Sequence, residues 1–136
     1  MGKNVDEGIV AVWFGNFDTK GEFQKYIKVH YELEENTDSE FERDFELKYY
    51  DRALVESKFM DKKSSDIAEL LSGLSYYESF DYSCHKLPKV EYNAIIVIYD
   101  FEYKGNGTDV SDNNNVADFC GNMHYEKVVD LSWMGL

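Results

Sequence analysis

The residues best suited to hold a metal are Cys84 and His85, adjacent in the chain, and Cys120 with His124 four positions later. Neither pair has the CxxC or HxxxH spacing through which four ligands close around zinc, so ordinary buried thiols are the expectation. Asp109, Asp112, Asn113, Asn114 and Asn115 offer oxygens of the kind calcium takes. Their run lacks the glycine at the sixth place and the glutamate at the twelfth of an EF-hand loop, and it reads as a solvated loop. Asn106-Gly107-Thr108 has the form of a glycosylation acceptor, which matters only in a secreted protein. Neither a GxGxxG nor a GxxxxGK[ST] phosphate loop occurs, and no Ser/His/Asp or Cys/His arrangement of a known catalytic kind is recognisable. The expectation is a protein that is not an enzyme, with no metal and no cofactor.

The chemistry the sequence does concentrate is that of recognition. From Tyr31 to Glu46 there are eight carboxylates, Glu32, Glu34, Glu35, Asp38, Glu40, Glu42, Asp44 and Glu46, opposed by Arg43 alone. Tyr49, Tyr50 and Asp51 follow directly, and a second patch gathers Tyr76, Tyr77, Glu78, Asp81 and Tyr82. Tyrosine gives a large contact area for little entropy loss, and carboxylates pair with arginine and lysine in a partner. The residues expected to contact a partner are Glu34, Glu35, Asp38, Glu42, Asp51, Tyr76, Tyr77, Glu78 and Asp81. Taken one at a time, each is better explained by a solvated face with tyrosines filling the core. The patch as a whole is what argues for binding.

The balance of charge agrees. The 136 residues carry a formal charge of −13, which repels nucleic acid and anionic membranes and favours a basic protein partner, whose approach the field would accelerate. Solubility alone is the plainer explanation of the same number. Apolar residues are 43% and aromatic residues 16%, enough for a core without staples. Residues 1–7 hold no apolar run of the signal-peptide kind, and the longest apolar run, near Asn93 to Tyr99, is far short of the roughly 20 residues that cross a bilayer. Two cysteines do not make a disulfide framework, so a cytoplasmic protein is expected.

The elements that must position these residues read as one domain over 1–136, with its core at about 9–130. The only proline is Pro88, and no linker interrupts the chain. Ile9 to Phe14 reads as a buried strand stopped at Gly15-Asn16. Thr19 with Glu22, and Ser39 with Glu42, have capping-box spacing and open two helices. The first carries Phe23, Tyr26, Ile27 and His30 on one face; the second runs to about Phe45. Ala53 to Phe59 is a second strand, and Ser64 or Ser65 caps a helix that ends before Gly73. Ser75 to Tyr82 has the 3–4 spacing of a short helix. Tyr92 to Tyr103 is the clearest strand, Gly105 to Asn115 a polar loop, and Val116 to Val129 the last strand, with a break at Gly121. Trp13, Phe23, Ile96 and Ile98 belong to the core. The result is an α+β domain, with a mixed or antiparallel sheet of about four strands flanked by two to four helices.

Several segments together resemble the immunity protein 22 family. They are Val12-Trp13-Phe14-Gly15-Asn16-Phe17 with the helix that follows it to Tyr26, and Ser39-Glu40-Phe41-Glu42-Arg43-Asp44-Phe45 running into Tyr49-Tyr50-Asp51. Ala94 to Phe101 and Phe119-Cys120-Gly121-Asn122-Met123 complete the likeness, which spans roughly residues 9–126. The chain departs from the family's pattern at Arg52-Ala53, where another polar or acidic residue is expected. The resemblance implies a bacterial immunity protein from a polymorphic-toxin locus, whose partner is a cognate toxin domain, often a nuclease with a basic cleft. A generic acidic binding or regulatory module is the main rival the residues allow, and a small enzyme or metal-binding protein the second. A toxin gene immediately upstream would separate the immunity reading from the main rival.

Overall fold

The run of β-branched and aromatic residues between Ile9 and Phe14 produces strand β1 (Ile9–Asn16), and Val10 to Phe14 are all buried. It sits at the centre because neither of its faces is polar. A computed structural model describes residues 7–32, 37–47, 50–81, 90–105, 110–112 and 115–126, and within them β1 pairs antiparallel with β3 (Tyr92–Tyr99) and with β5 (Asn115–His124). Beyond these lie β2 (Val55–Ser64), paired with β3, and the three-residue β4 (Val110–Asp112), paired with β5. The sheet order is β2-β3-β1-β5-β4, and all neighbours are antiparallel. Candidate residues Glu34, Glu35, Tyr49, Tyr82, Cys84 and His85 lie outside the described residues.

Both faces of this sheet are covered, which is why β3 is buried throughout and apolar from Ala94 to Ile98 rather than alternating. On one face Val10, Val12, Phe14, Ile95, Val97 and Tyr99 pack with Leu70 and Leu71 of helix α3 (Ile67–Leu71). On the other, Ala11, Trp13, Ala94, Ile96 and Ile98 pack with Phe23 and Tyr26 of α1 (Lys20–Ile27) and Phe41 of α2 (Glu40–Asp44). Trp13 is the hub of that second layer, with ring centroids of Phe41, Phe119, Tyr103 and Phe45 at 5.0, 5.1, 5.3 and 5.7 Å. The core assignments of Trp13, Phe23, Ile96 and Ile98 therefore hold, as does the α+β class.

The caps act largely as their spacing predicts. Thr19 Oγ1 accepts from the Glu22 N–H at 3.1 Å. At α2 the exchange is reciprocal: Ser39 Oγ accepts from the Glu42 N–H at 3.1 Å, and Glu42 Oε1 from the Ser39 N–H at 2.8 Å. α3 differs. Its cap is Asp66, whose Oδ1 accepts from the Ala68 N–H at 3.0 Å, because Ser64 still belongs to β2. Ser64 Oγ instead accepts from the Asp66 N–H at 3.0 Å.

Four boundaries move for local reasons. β2 begins later than expected because Asp51 caps a 3-10 turn over Arg52–Leu54, accepting from the Ala53 N–H at 2.8 Å. β3 stops at Tyr99 because Asp100 takes a left-handed backbone, φ 55°. Tyr76 does the same at φ 61°, leaving a single 3-10 turn, Tyr77–Ser79, where a short helix was expected. The polar stretch expected to be a loop contains β4, whose three pairings with β5 make it the fifth strand.

β5 holds one extra residue. Val12 lies opposite Gly121 but Trp13 opposite Phe119, so Cys120 is the bulge and Gly121, at φ 153°, absorbs it. The face changes there: Ala117 and Phe119 pack with Trp13, whereas Cys120 and Met123 pack on the α3 side. Two asparagines extend the ladders sideways. Asn93 Nδ2 donates to the Phe17 carbonyl at 2.8 Å while its Oδ1 accepts from the Phe17 N–H at 2.9 Å. Asn122 repeats the exchange with Tyr103 at 3.0 and 2.9 Å.

Candidate functional site

The acidic run is organised by a residue that its own composition does not announce. Arg52 opens the 3-10 turn that leads into β2, so its side chain reaches back across the α1/α2 layer. Its Nε donates to Glu42 Oε2 at 2.7 Å, and its Nη2 donates to Glu42 Oε1 at 3.2 Å and to Asp38 Oδ1 at 3.0 Å. The Tyr50 hydroxyl donates to Glu42 Oε2 at 2.5 Å. With the Ser39 N–H, the Glu42 carboxylate thus receives four donor contacts, and its side chain is only 2% exposed. Paired and hydrogen-bonded is the condition under which a buried charge is tolerated.

Titration follows from that environment. Burial alone would raise the Glu42 carboxyl; the hydrogen bonds from Arg52, Tyr50 and the Ser39 N–H, with the charge of Arg52, outweigh it and hold the group below the ordinary glutamate value. The same hydrogen bond holds Arg52 above the ordinary arginine range, and burial followed by the bond to Glu42 raises the Tyr50 phenol. Arg52 also lies over the ring of Tyr31, with its guanidinium carbon 5.6 Å from the centroid. Tyr31 is 72% exposed and, with Arg52, Tyr50, Ile27, Val29 and Ile96, lines a cavity of about 180 Å³.

Glu42, expected as a contact residue, is therefore corrected: it faces inward and its oxygens are engaged. Asp38 is half-exposed on the outer side of Arg52. Asp51 is exposed, with one oxygen on the Ala53 N–H. Tyr76, Tyr77, Glu78 and Asp81 belong to the opposite layer. Tyr76 is 43% exposed and meets Tyr99 edge to face and Tyr125 at a tilt, with ring centroids 5.6 Å from each. Tyr77 is partly buried against the α3 side of the core, Glu78 is exposed, and Asp81 Oδ1 accepts from the His124 N–H at 3.1 Å. The fold thus does not merge the two predicted patches into one surface. It places their described residues on opposite faces of the sheet.

Sequence reasoning missed Arg52 and Tyr31 as site residues. The signal that could have found Arg52 is the need of an acid-rich run for an opposing cation, at the very position where the chain departs from the family's pattern. A second hollow of about 560 Å³ runs between the end of α2 and the segment after β3, with Arg43, Glu46, Phe101, Glu102, Tyr103 and Lys104 among its walls. Among the described residues no group of three or more His, Cys, Asp or Glu is placed to hold a metal ion; Cys120 lies in the core and His124 is exposed. No helix among them is long and apolar enough to cross a membrane.

The fold and the site define a small α+β protein whose ordered chemistry is a buried charge clamp with aromatic and acidic side chains displayed above it. The chain belongs to the Immunity protein 22 family, whose model matches residues 10–126. That range agrees with the resemblance read from the sequence. No curated protein and no solved structure matches the chain. Membership of an immunity-protein family implies a toxin-neutralising function, with a toxin protein as the partner.

Proposed function

We propose that this protein protects the cytoplasm of the producing cell by binding one cognate toxin domain of a polymorphic-toxin or contact-dependent inhibition system. The toxin is a nuclease, and its basic substrate cleft is occluded sterically and electrostatically. Carboxylates of the acidic segment, Glu34, Glu35, Asp38 and Asp51, stand in for substrate phosphates and pair with arginine and lysine of the toxin. Glu42 supports that surface from behind. The patch of Tyr76, Tyr77, Glu78 and Asp81, on the opposite layer, provides a second contact area for a toxin that wraps the sheet's end. The observation that carries the reading is the clamp: an exposed tyrosine and a half-exposed aspartate are held outward by a guanidinium anchored on a buried glutamate. Chemistry by the protein itself is not required, and we propose that it is not an enzyme.

Co-expression tests this. The toxin domain encoded by the neighbouring gene is produced in a bacterial host with and without this chain. Restored growth and co-purification are the expected result. Continued killing, or a toxin that passes through a column bearing the immobilised chain, would overturn it and leave a general acidic binding module as the better description.

A further inference from the structure

We infer that Arg52 is the positioning residue of the toxin-contact surface, fixing the exposed ring of Tyr31 as a pre-set aromatic anchor; this rests on the toxin-binding reading above.

Tyr31 is 72% exposed and lines, with Arg52, Ile27, Val29 and Ile96, a cavity of about 180 Å³. Arg52 lies against its ring, with the guanidinium carbon 5.6 Å from the centroid. Its guanidinium plane cannot swing freely, because both oxygens of Glu42 grip the fork at 2.7 and 3.2 Å. Glu42 in turn is fixed to the first turn of α2 by the Ser39 N–H at 2.8 Å. Orientation therefore passes from α2 through Glu42 to Arg52, and from Arg52 to Tyr31 by ring contact and to Asp38 by the bond at 3.0 Å. The His30 N–H donates to the Thr37 carbonyl at 2.7 Å, which ties the residue before Tyr31 to the residue before Asp38. An aromatic anchor fixed before binding loses little freedom on contact, which is how tyrosines become dominant contact residues. Lysine could supply the charge of Arg52 but not its planar fork.

A double-mutant cycle on toxin binding tests this. The probe is the toxin domain encoded by the neighbouring gene, with affinity measured by surface plasmon resonance well below every variant's melting temperature. Arg52→Met alone strands a buried carboxylate and can fail to fold, so the background used is Glu42→Gln with Arg52→Met, which removes the charge together with its partner. Tyr31→Ala is expected to weaken binding about tenfold or more in the wild type and less than about twofold in that background. Arg52→Lys is expected to behave like the background, not like the wild type. A merely structural Arg52 gives losses that add, so equal effects of Tyr31→Ala in both backgrounds overturn the inference while toxin binding stands. A Tyr31→Ala variant that binds as the wild type does overturns it equally. If the wild-type chain does not bind the toxin, the proposed function falls and this inference with it.

Discussion

Tyr99 and Tyr125 stand with ring centroids 5.1 Å apart on the sheet face opposite Trp13, and each donates its hydroxyl to a different carboxylate. Tyr99 reaches Glu56 Oε1 at 2.6 Å, and Tyr125 reaches Asp100 Oδ1 at 2.6 Å. Burial first, and then these bonds, raise both phenols above the ordinary value of 10.0. Tyr26, bonded to Asp44, and Tyr50, bonded to Glu42, are raised for the same reasons in the same order.

The first prediction concerns alkali. Groups raised in the folded state leave stability whole below their unfolded value of 10.0, and stability declines as pH climbs above it, because the unfolded phenols ionise while the folded ones stay protonated. Tyrosinate absorbance at 295 nm should therefore rise in the native protein to a fraction of its amplitude in denaturant at pH 10.5. Equal amplitudes would show that the four bonds to carboxylates do not hold.

Acid acts on the other layer. Glu42 is held below 4.5, so its contribution to stability is complete above that value and is lost as pH falls below it toward the folded-state value. Urea midpoints measured from pH 7 to pH 3 should fall more steeply for the wild type than for Glu42→Gln once pH passes below 4.5. Near neutrality Arg52→Met should cost about 2–3 kcal/mol, under the ~3–5 of a fully buried pair because the guanidinium is partly solvated. Parallel acid limbs for wild type and Glu42→Gln would rule the clamp out as a source of acid sensitivity.

A third expectation concerns the open edge of the sheet. Lys58, on edge strand β2, donates through Nζ to the carbonyls of Glu69, Leu70 and Ser72 at 3.1, 3.1 and 2.6 Å. It thereby caps the negative end of α3. Lys58→Met keeps the stem and removes the donors, and should cost about 1–2 kcal/mol. Hydrogen exchange should quicken at Leu70 and Ser72 more than at Val12. Uniform quickening across both would show that the lysine stabilises the domain without capping the helix.

The fourth concerns association. Replacing Glu34, Glu35 and Asp38 together by lysine should slow binding to a basic toxin far more than it lowers the melting temperature, and the difference from wild type should shrink as salt is added. An unchanged association rate at low salt would remove this segment from the interface.

The layers of the fold were legible where the chain repeats a pattern. Ile9 to Phe14 and Ala94 to Ile98 announce themselves as buried strands by apolar residues without interruption, and the Ser39/Glu42 box fixes α2 to within a residue or two. Single residues with left-handed backbones were not legible, because Tyr76 and Asp100 carry no sequence mark of it, and both shift an element boundary. Of the site, the acidic run could be read but not its wiring. The spacing that makes Glu42 a capping residue also turns it inward, and only the partner at Arg52, ten positions on, decides that its charge is buried rather than displayed.

Asn93 and Asn122 have a bearing on how the protein ages. Each uses its side-chain amide as a surrogate rung, offering a donor to one carbonyl and an acceptor to one N–H. Slow loss of ammonia converts such an amide to a carboxylate that no longer donates, and it sets a negative charge against the oxygen of Phe17 or Tyr103. The change in mass is about one dalton, and a preparation that has stood would carry it unseen on a gel. Conversion of either amide to a carboxylate would therefore remove a rung from the ladder it extends, at a place away from the acidic surface.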